Sequence, residues 1–377
     1  LFISCRALEH VSLPATLTEI GRSCFSGCTN LKVLELPETL TLIGEYAFAN
    51  CQNLTDITLP ASLQTIKGHA FEGCTSLNCI DIPELVTQLD GYAFNGCKML
   101  EKVNVEGQIK RVNEATFAGC ERLKSIALPQ SVTYIGSEAF KGCTAMETAE
   151  MPEVLSEIGA NAFEGCQNLR NMDLGVATTI GSEAFKGCSS MECFKAESIK
   201  RMGIGALQNC GNLQEVSIDG NLSAISSETF SGCTSLSKIT IPASIRTIGK
   251  RAFYSCKSLG NIELPASLVR IDDEAFNQCA SLKQLYIPKL TKQIGSATFK
   301  DCISLDSVHI EGFIEKLDDE VFRYCHSLRI VLLPVSIKSV GENAFQECTS
   351  LYAIDLPISV SKVGDNAFEK CSSLTIS

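Results

Sequence analysis

Positive charge is in short supply. The 377 residues hold 43 acidic side chains against 32 lysines and arginines, a formal net charge of −11. Nucleic-acid phosphates need a basic footprint, so this balance argues against nucleic acid as a partner. It also argues against electrostatic docking on an anionic membrane. Long apolar runs are missing: no stretch of about 18 apolar residues occurs, so no membrane insertion is expected. Histidine is sparse. His10, His69, His309 and His326 are scattered, and none stands with a Ser or Cys and an orienting acid in a catalytic spacing. No glycine-rich phosphate loop is present, since the glycines mark recurring turns. No enzymatic role, no catalytic residue and no cofactor are therefore expected. Tryptophan is absent, and so is any linker rich in Pro, Gly or Ser.

What the sequence has is a fixed period. From Cys5 to Cys166 a cysteine recurs every 23 residues; two steps of 22 lead to Cys188 and Cys210, and the 23-residue step then resumes to Cys371. A Phe stands three residues before each of these cysteines, from Phe2 to Phe368, with Leu207 as the one substitute. Leu or Met follows each by three. All 11 prolines lie nine residues after a ladder cysteine, from Pro14 to Pro357. Such self-similarity is the signature of a repeat architecture.

One unit can be read physically. Ile57 and Leu59 point to one face of a short strand and Thr58 to the other. Pro60 has no N–H and ends the strand. Leu63 and Ile66 re-enter the core on the return path. Ala70, Phe71 and Cys74 have the spacing of a short helical or 3₁₀ segment. One unit cannot close a core, but stacked units cover each other's open faces. The expectation is a β-rich solenoid with a concave parallel sheet of about 16 short strands, roughly 75–80 Å long by strand spacing, and short strand or 3₁₀ pieces on the convex side. It is expected to be a single domain over 1–377, about 17 units, with both ends cut in mid-unit.

The repeat Leu236-x-x-Ile239-x-Ile241-Pro242-x-Ser244-Ile245-x-x-Ile248-Gly249-x-x-Ala252-Phe253-x-x-Cys256 resembles the BspA-like leucine-rich repeats. Essentially the whole chain carries this pattern. The asparagine ladder of more familiar leucine-rich repeats is replaced by Pro and Ser. The resemblance implies a leucine-rich repeat solenoid, a bacterial surface or secreted protein, and a protein partner such as a host or matrix protein; some members are adhesins for fibronectin and fibrinogen.

Departures from the pattern are local. Glu106, Gly175, Glu197, Asp219 and Glu311 stand where other units have proline. The stretch 166–233 is the least regular. It holds both short steps, Leu207, and Phe194 at a strand core position. A local change of curvature or twist is expected there, not a domain boundary.

Twenty cysteines in a secreted chain would usually suggest a disulfide scaffold. In one column, however, the side chains would run parallel at strand spacing, which does not suit a disulfide. Buried free thiols are expected instead. Cys5, Cys24, Cys28 and Cys51 could approach one another, but Cys24 takes the place of a core Ala, so packing explains it and no metal is expected. Cys79 and Cys193 should lie on the concave surface.

That surface is where a ligand would go. The column seven residues after each ladder cysteine is acidic, with Glu35, Asp81, Glu150, Asp173, Glu263 and Asp355 against Lys195. Toward the C-terminal end it changes character: Tyr286, His309, Ile330, Leu332 and Tyr352 fall on consecutive units and form the candidate ligand-binding patch. The leading expectation is a non-catalytic protein-binding module, extracellular or at the cell surface, of adhesin type. A structural stalk presenting another domain and an intracellular interaction scaffold, suggested by the free thiols, are the alternatives.

Overall fold

The repeats fold into successive turns of a β-solenoid, with no α-helix among the described residues. The computed structural model describes residues 2–374. It divides into two compact units, one reaching to Met191 and one beginning at Glu192, inside the irregular stretch.

In the first unit the longer strands Cys79–Ile82, Lys102–Val105, Ser125–Ala127, Thr148–Glu150 and Asn171–Asp173 form one face. Alternation works as the sequence predicts: Ile80 and Ile82 are buried, while Cys79 and Asp81 are exposed. Nearer the N-terminus this face is extended chain with a single bridge, Val33 to Asp56. The return path carries two further sheets of two-residue strands, one from Glu19–Ile20 to Gln88–Leu89 and one running from Arg111–Val112 through Thr179–Ile180. The strand pairs are parallel, and their register repeats the cysteine step: Leu42 opposes Thr65, and Glu157 opposes Thr179.

Proline has the effect expected of a missing donor. Pro83 directly follows the strand Cys79–Ile82. Where Glu106 takes its place, the backbone N–H is available and donates to Ile82 O at 3.0 Å. In the second unit two proline-free segments run on to the seven-residue strand Cys193–Ile199 and the six-residue strand Glu215–Gly220. Their register shifts between Ala196 and Ile199. Phe194 faces inward and is buried. Further on, Gln284–Ile287, Ser307–Ile310, Ile330–Leu332 and Ala353–Ile354 make a four-stranded parallel sheet. Between this sheet and Lys238–Thr240, residues 261–264 are extended without forming a strand.

The Ala-Phe-x-x-Cys segment closes each turn in a specific way. Ala70, Glu72 and Cys74 donate to the carbonyls three residues back, but only on alternate residues, so the segment is a run of turns in place of the expected helical or 3₁₀ piece. The alternate donors His69, Phe71 and Gly73 reach the next unit instead, at Gly91, Ala93 and Asn95. This alternation needs left-handed backbone, found at His69 (φ 58°) and Gly73 (φ 70°).

Two columns fill the core. In the first unit the Phe rings from Phe2 to Phe185 stack with centroids 5.1–5.6 Å apart and planes within 17° of parallel. Phe230 to Phe368 repeat this in the second unit at 5.0–5.6 Å. Beside them runs the thiol column. The Cys74 thiol donates to Phe48 O of the preceding unit at 3.1 Å, and that carbonyl also accepts from Cys51 N–H at 3.1 Å. The same bond recurs from Cys28 to Cys188 and from Cys233 to Cys371. All 20 cysteines are free thiols; Cys5, Cys79 and Cys193 are exposed. Burial, above all, pushes the thiols of Cys51, Cys97, Cys143 and Cys233 up to about 12.

Two expectations follow from this core. Phe140 is fully buried between Phe117 and Phe163, so Phe140→Ala should cost roughly 3–5 kcal/mol in urea denaturation. Hydrogen exchange should then rise first in the units flanking it, because units contact only their neighbours; a uniform rise would contradict the stacking. The thiol column sets the alkaline limit. Unfolded thiols titrate near their ordinary 9, whereas burial pushes those of Cys51, Cys97, Cys143 and Cys233 up to about 12. Stability should therefore hold below pH 9 and fall as the pH climbs toward 12, by about 1.4 kcal/mol per pH unit for each such thiol. A thiol reagent at neutral pH should modify Cys5, Cys79 and Cys193 first and the buried ladder cysteines, Cys28 to Cys348, only on unfolding.

Candidate functional site

The sheet of the last units positions the candidate patch. Its register sets Tyr286 opposite His309 and His309 opposite Leu332, while Ser307 opposes Ile330 and Ile330 opposes Ala353. These positions point outward because Leu285, Val308 and Val331 between them are buried in the core. Tyr286 and Leu332 are about half exposed, at 47 % and 51 %. The Tyr286 and His309 rings meet edge to face, with centroids 5.4 Å apart at 82°. The Tyr286 hydroxyl donates to Glu311, which raises its pKa.

Four of the five predicted residues share one concavity of about 660 Å³, lined by Tyr286, His309, Ile330 and Leu332 together with Ile262 and Glu263. Tyr352 is exposed on the adjoining column, beside Arg329, and is not among the lining residues. Arg329 bonds Asp306 at 2.5 Å, which holds that carboxyl below its ordinary range. The patch thus joins aromatic edge, aliphatic surface and one lining carboxylate, with a paired arginine at its border. Such a surface can hold an apolar side chain of a partner while Tyr286 and Glu263 offer hydrogen bonds to that partner's backbone.

Sequence reading missed a second aromatic cluster. Tyr46, His69 and Tyr92 occupy one position in three successive units and stack at 4.4 and 4.7 Å. His69 Nδ1 lies 2.9 Å from Glu72. The Tyr92 hydroxyl donates to Glu114 at 2.7 Å, and that bond pushes its pKa up to about 12. Column alignment at this position would have found them. The ring faces are spent on one another, so the cluster clamps three turns together. Among the described residues no group of three or more His, Cys, Asp or Glu is arranged to hold a metal ion. Among the described residues no helix is long and apolar enough to cross a membrane.

The comparisons with known proteins agree with this architecture. The BspA type leucine rich repeat region matches residues 1–124, 110–221, 200–329 and 246–375. A leucine-rich repeat protein from Bacteroides ovatus is similar at 31 % identity, with 88 % of this chain and 85 % of that chain covered and a TM-score of 0.76. A leucine rich cell surface protein from Faecalibacterium prausnitzii is similar at 21 % identity over 95 % of this chain and 87 % of that chain, with a TM-score of 0.45. The pneumococcal vaccine antigen PcpA is similar at 18 % identity over 94 % and 88 %, with a TM-score of 0.49. No curated protein sequence matches. The chain belongs to the BspA-type leucine-rich repeat family. It is a leucine-rich repeat β-solenoid, of a kind consistent with protein interaction and generally without catalysis.

Proposed function

We propose that the chain is a protein-recognition module of a cell-surface or secreted adhesin, and that it binds a host or matrix protein through the patch at Tyr286, His309, Ile330, Leu332 and Tyr352. The observation that supports this is the shared concavity, in which exposed aromatic and aliphatic side chains project from a rigid four-stranded sheet. Aromatic anchors on a preorganised frame are the usual carriers of binding energy. The acidic column elsewhere on the strand faces, such as Asp81 and Asp173, keeps those faces solvated.

The triple variant Tyr286→Ser, Leu332→Ser, Tyr352→Ser tests the reading. All three side chains are about half exposed, so the melting temperature should stay unchanged while binding to immobilised fibronectin or fibrinogen falls at least about tenfold. Full binding by the variant would move the site away from this patch. No binding by either protein would favour a stalk that presents another domain.

A further inference from the structure

A row of apolar side chains outside the candidate patch is required by nothing in the fold. It lies on the rim of the second unit, at the turns that follow the strands. Leu290, Phe313, Val335 and Ile358 sit at equivalent or adjacent turn positions of four consecutive repeats, exposed by 53, 64, 86 and 106 %. Many other repeats place a small hydroxyl here, and it bonds back to the preceding repeat: Ser62 to Leu40 O, Ser131 to Ile109 O and Ser244 to Leu222 O, each at 2.7 Å. Leu290 and Phe313 give up that bond. Val335 and Ile358 stand beside Ser336 and Ser359, which keep it. Packing therefore asks for none of the four side chains.

The charge around the row is also distinct. The rim segments 288–293, 311–316, 334–339 and 357–362 hold five lysines and two glutamates, net +3 in a chain of −11. Lys338 pairs with Glu315, and Lys316 with Asp318. Lys289, Lys292 and Lys362 have no ion pair among the described residues. In the first unit the equivalent segments 37–42, 83–88 and 152–157 carry Glu38, Glu84, Glu153 and Glu157 and no lysine, while 106–111 carries Lys110 and Arg111 beside Glu106. At physiological salt a charge is felt over only about 8 Å, so the rim presents its own sign and not that of the whole chain.

We propose that this rim docks on an anionic lipid surface, with Leu290, Phe313, Val335 and Ile358 entering the interface and Lys289, Lys292 and Lys362 meeting the headgroups. Aliphatic and aromatic tips with lysines beside them are what such an interface takes up. The four side chains project from turns and none lines the concavity of the strand face. A protruding row suits a deformable surface, whereas an extended peptide would need a groove.

Cosedimentation with phosphatidylserine–phosphatidylcholine vesicles, against pure phosphatidylcholine vesicles, tests this. The full chain should bind the anionic vesicles and be released by salt. Phe313→Ser, Val335→Ser, Ile358→Ser together should lower binding at least about tenfold. Lys289→Gln, Lys292→Gln, Lys362→Gln should lower it and remove most of the salt sensitivity. Leu85→Ser with Val154→Ser changes exposed apolar residues on the acidic rim and should leave binding unchanged. The proposal is overturned if the unaltered chain ignores anionic vesicles at low salt, or if the Leu85 and Val154 control loses as much as the rim variants. Capture by the rim of an acidic leucine-containing peptide without vesicle binding would assign the row to a protein segment and overturn it equally.

Discussion

The hydrogen-bonded step from one repeat to the next is what every other feature depends on. Strand pairs fix it, because residues face their counterparts 22 or 23 positions on, except at the register shift before Ile199. The turns fix it again by sending alternate N–H groups to the next repeat. The Phe rings then have little freedom in spacing, and they settle slightly wider than the roughly 4.8 Å between strands. Cysteine suits the neighbouring column for a reason beyond size. Its thiol is small enough to be fully buried, yet it donates to the Phe carbonyl of the repeat before it. Alanine would lack the donor, and a larger residue would push the repeats apart. Gly159 shows how little room there is: a Cβ on it would lie 2.5 Å from Ser137 N.

Much of this was legible in the sequence because it is periodic. The cysteine step gave the register, the Ile-x-Leu alternation gave the buried face, and the parallel geometry of a stacked column gave free thiols in place of disulfides. The single-residue consequence of proline was legible too, since Glu106 restores the donor that Pro83 lacks. The division of the turn bonds was not. Nothing in Ala-Phe-x-x-Cys states that His69 and Gly73 must be left-handed so that Phe71 can reach Ala93. That arrangement exists only when two repeats are already side by side.

The candidate patch was legible in part for the same reason. Tyr286, His309 and Leu332 share one column, so strand parity alone brings them together. Tyr352 belongs to the column of Arg329, three positions earlier in the repeat, and parity could not place it relative to the concavity. The bond from Tyr286 to Glu311 was also invisible, since Glu311 drew notice only as a missing proline. The apolar rim escaped because each of its residues looks ordinary within its own repeat. Only alignment of Leu290, Phe313, Val335 and Ile358, with their exposure, shows a row.

The core and the surface thus obey different rules on the same scaffold. A core position is tied to its equivalents in the repeats on both sides, so substitution in one repeat strains two others; the Phe column accordingly accepts one replacement, Leu207. An outward position answers only to solvent and to whatever meets it. The column that holds Glu35, Asp81 and Asp173 in one half holds Tyr286, His309 and Leu332 in the other, with the backbone underneath unchanged in kind. Net composition averages over these faces and hides them. A total of −11 describes how the molecule repels its copies at long range, but a contact a few ångströms across is decided by the side chains of three or four repeats, and those are free to differ in sign and polarity from all the rest.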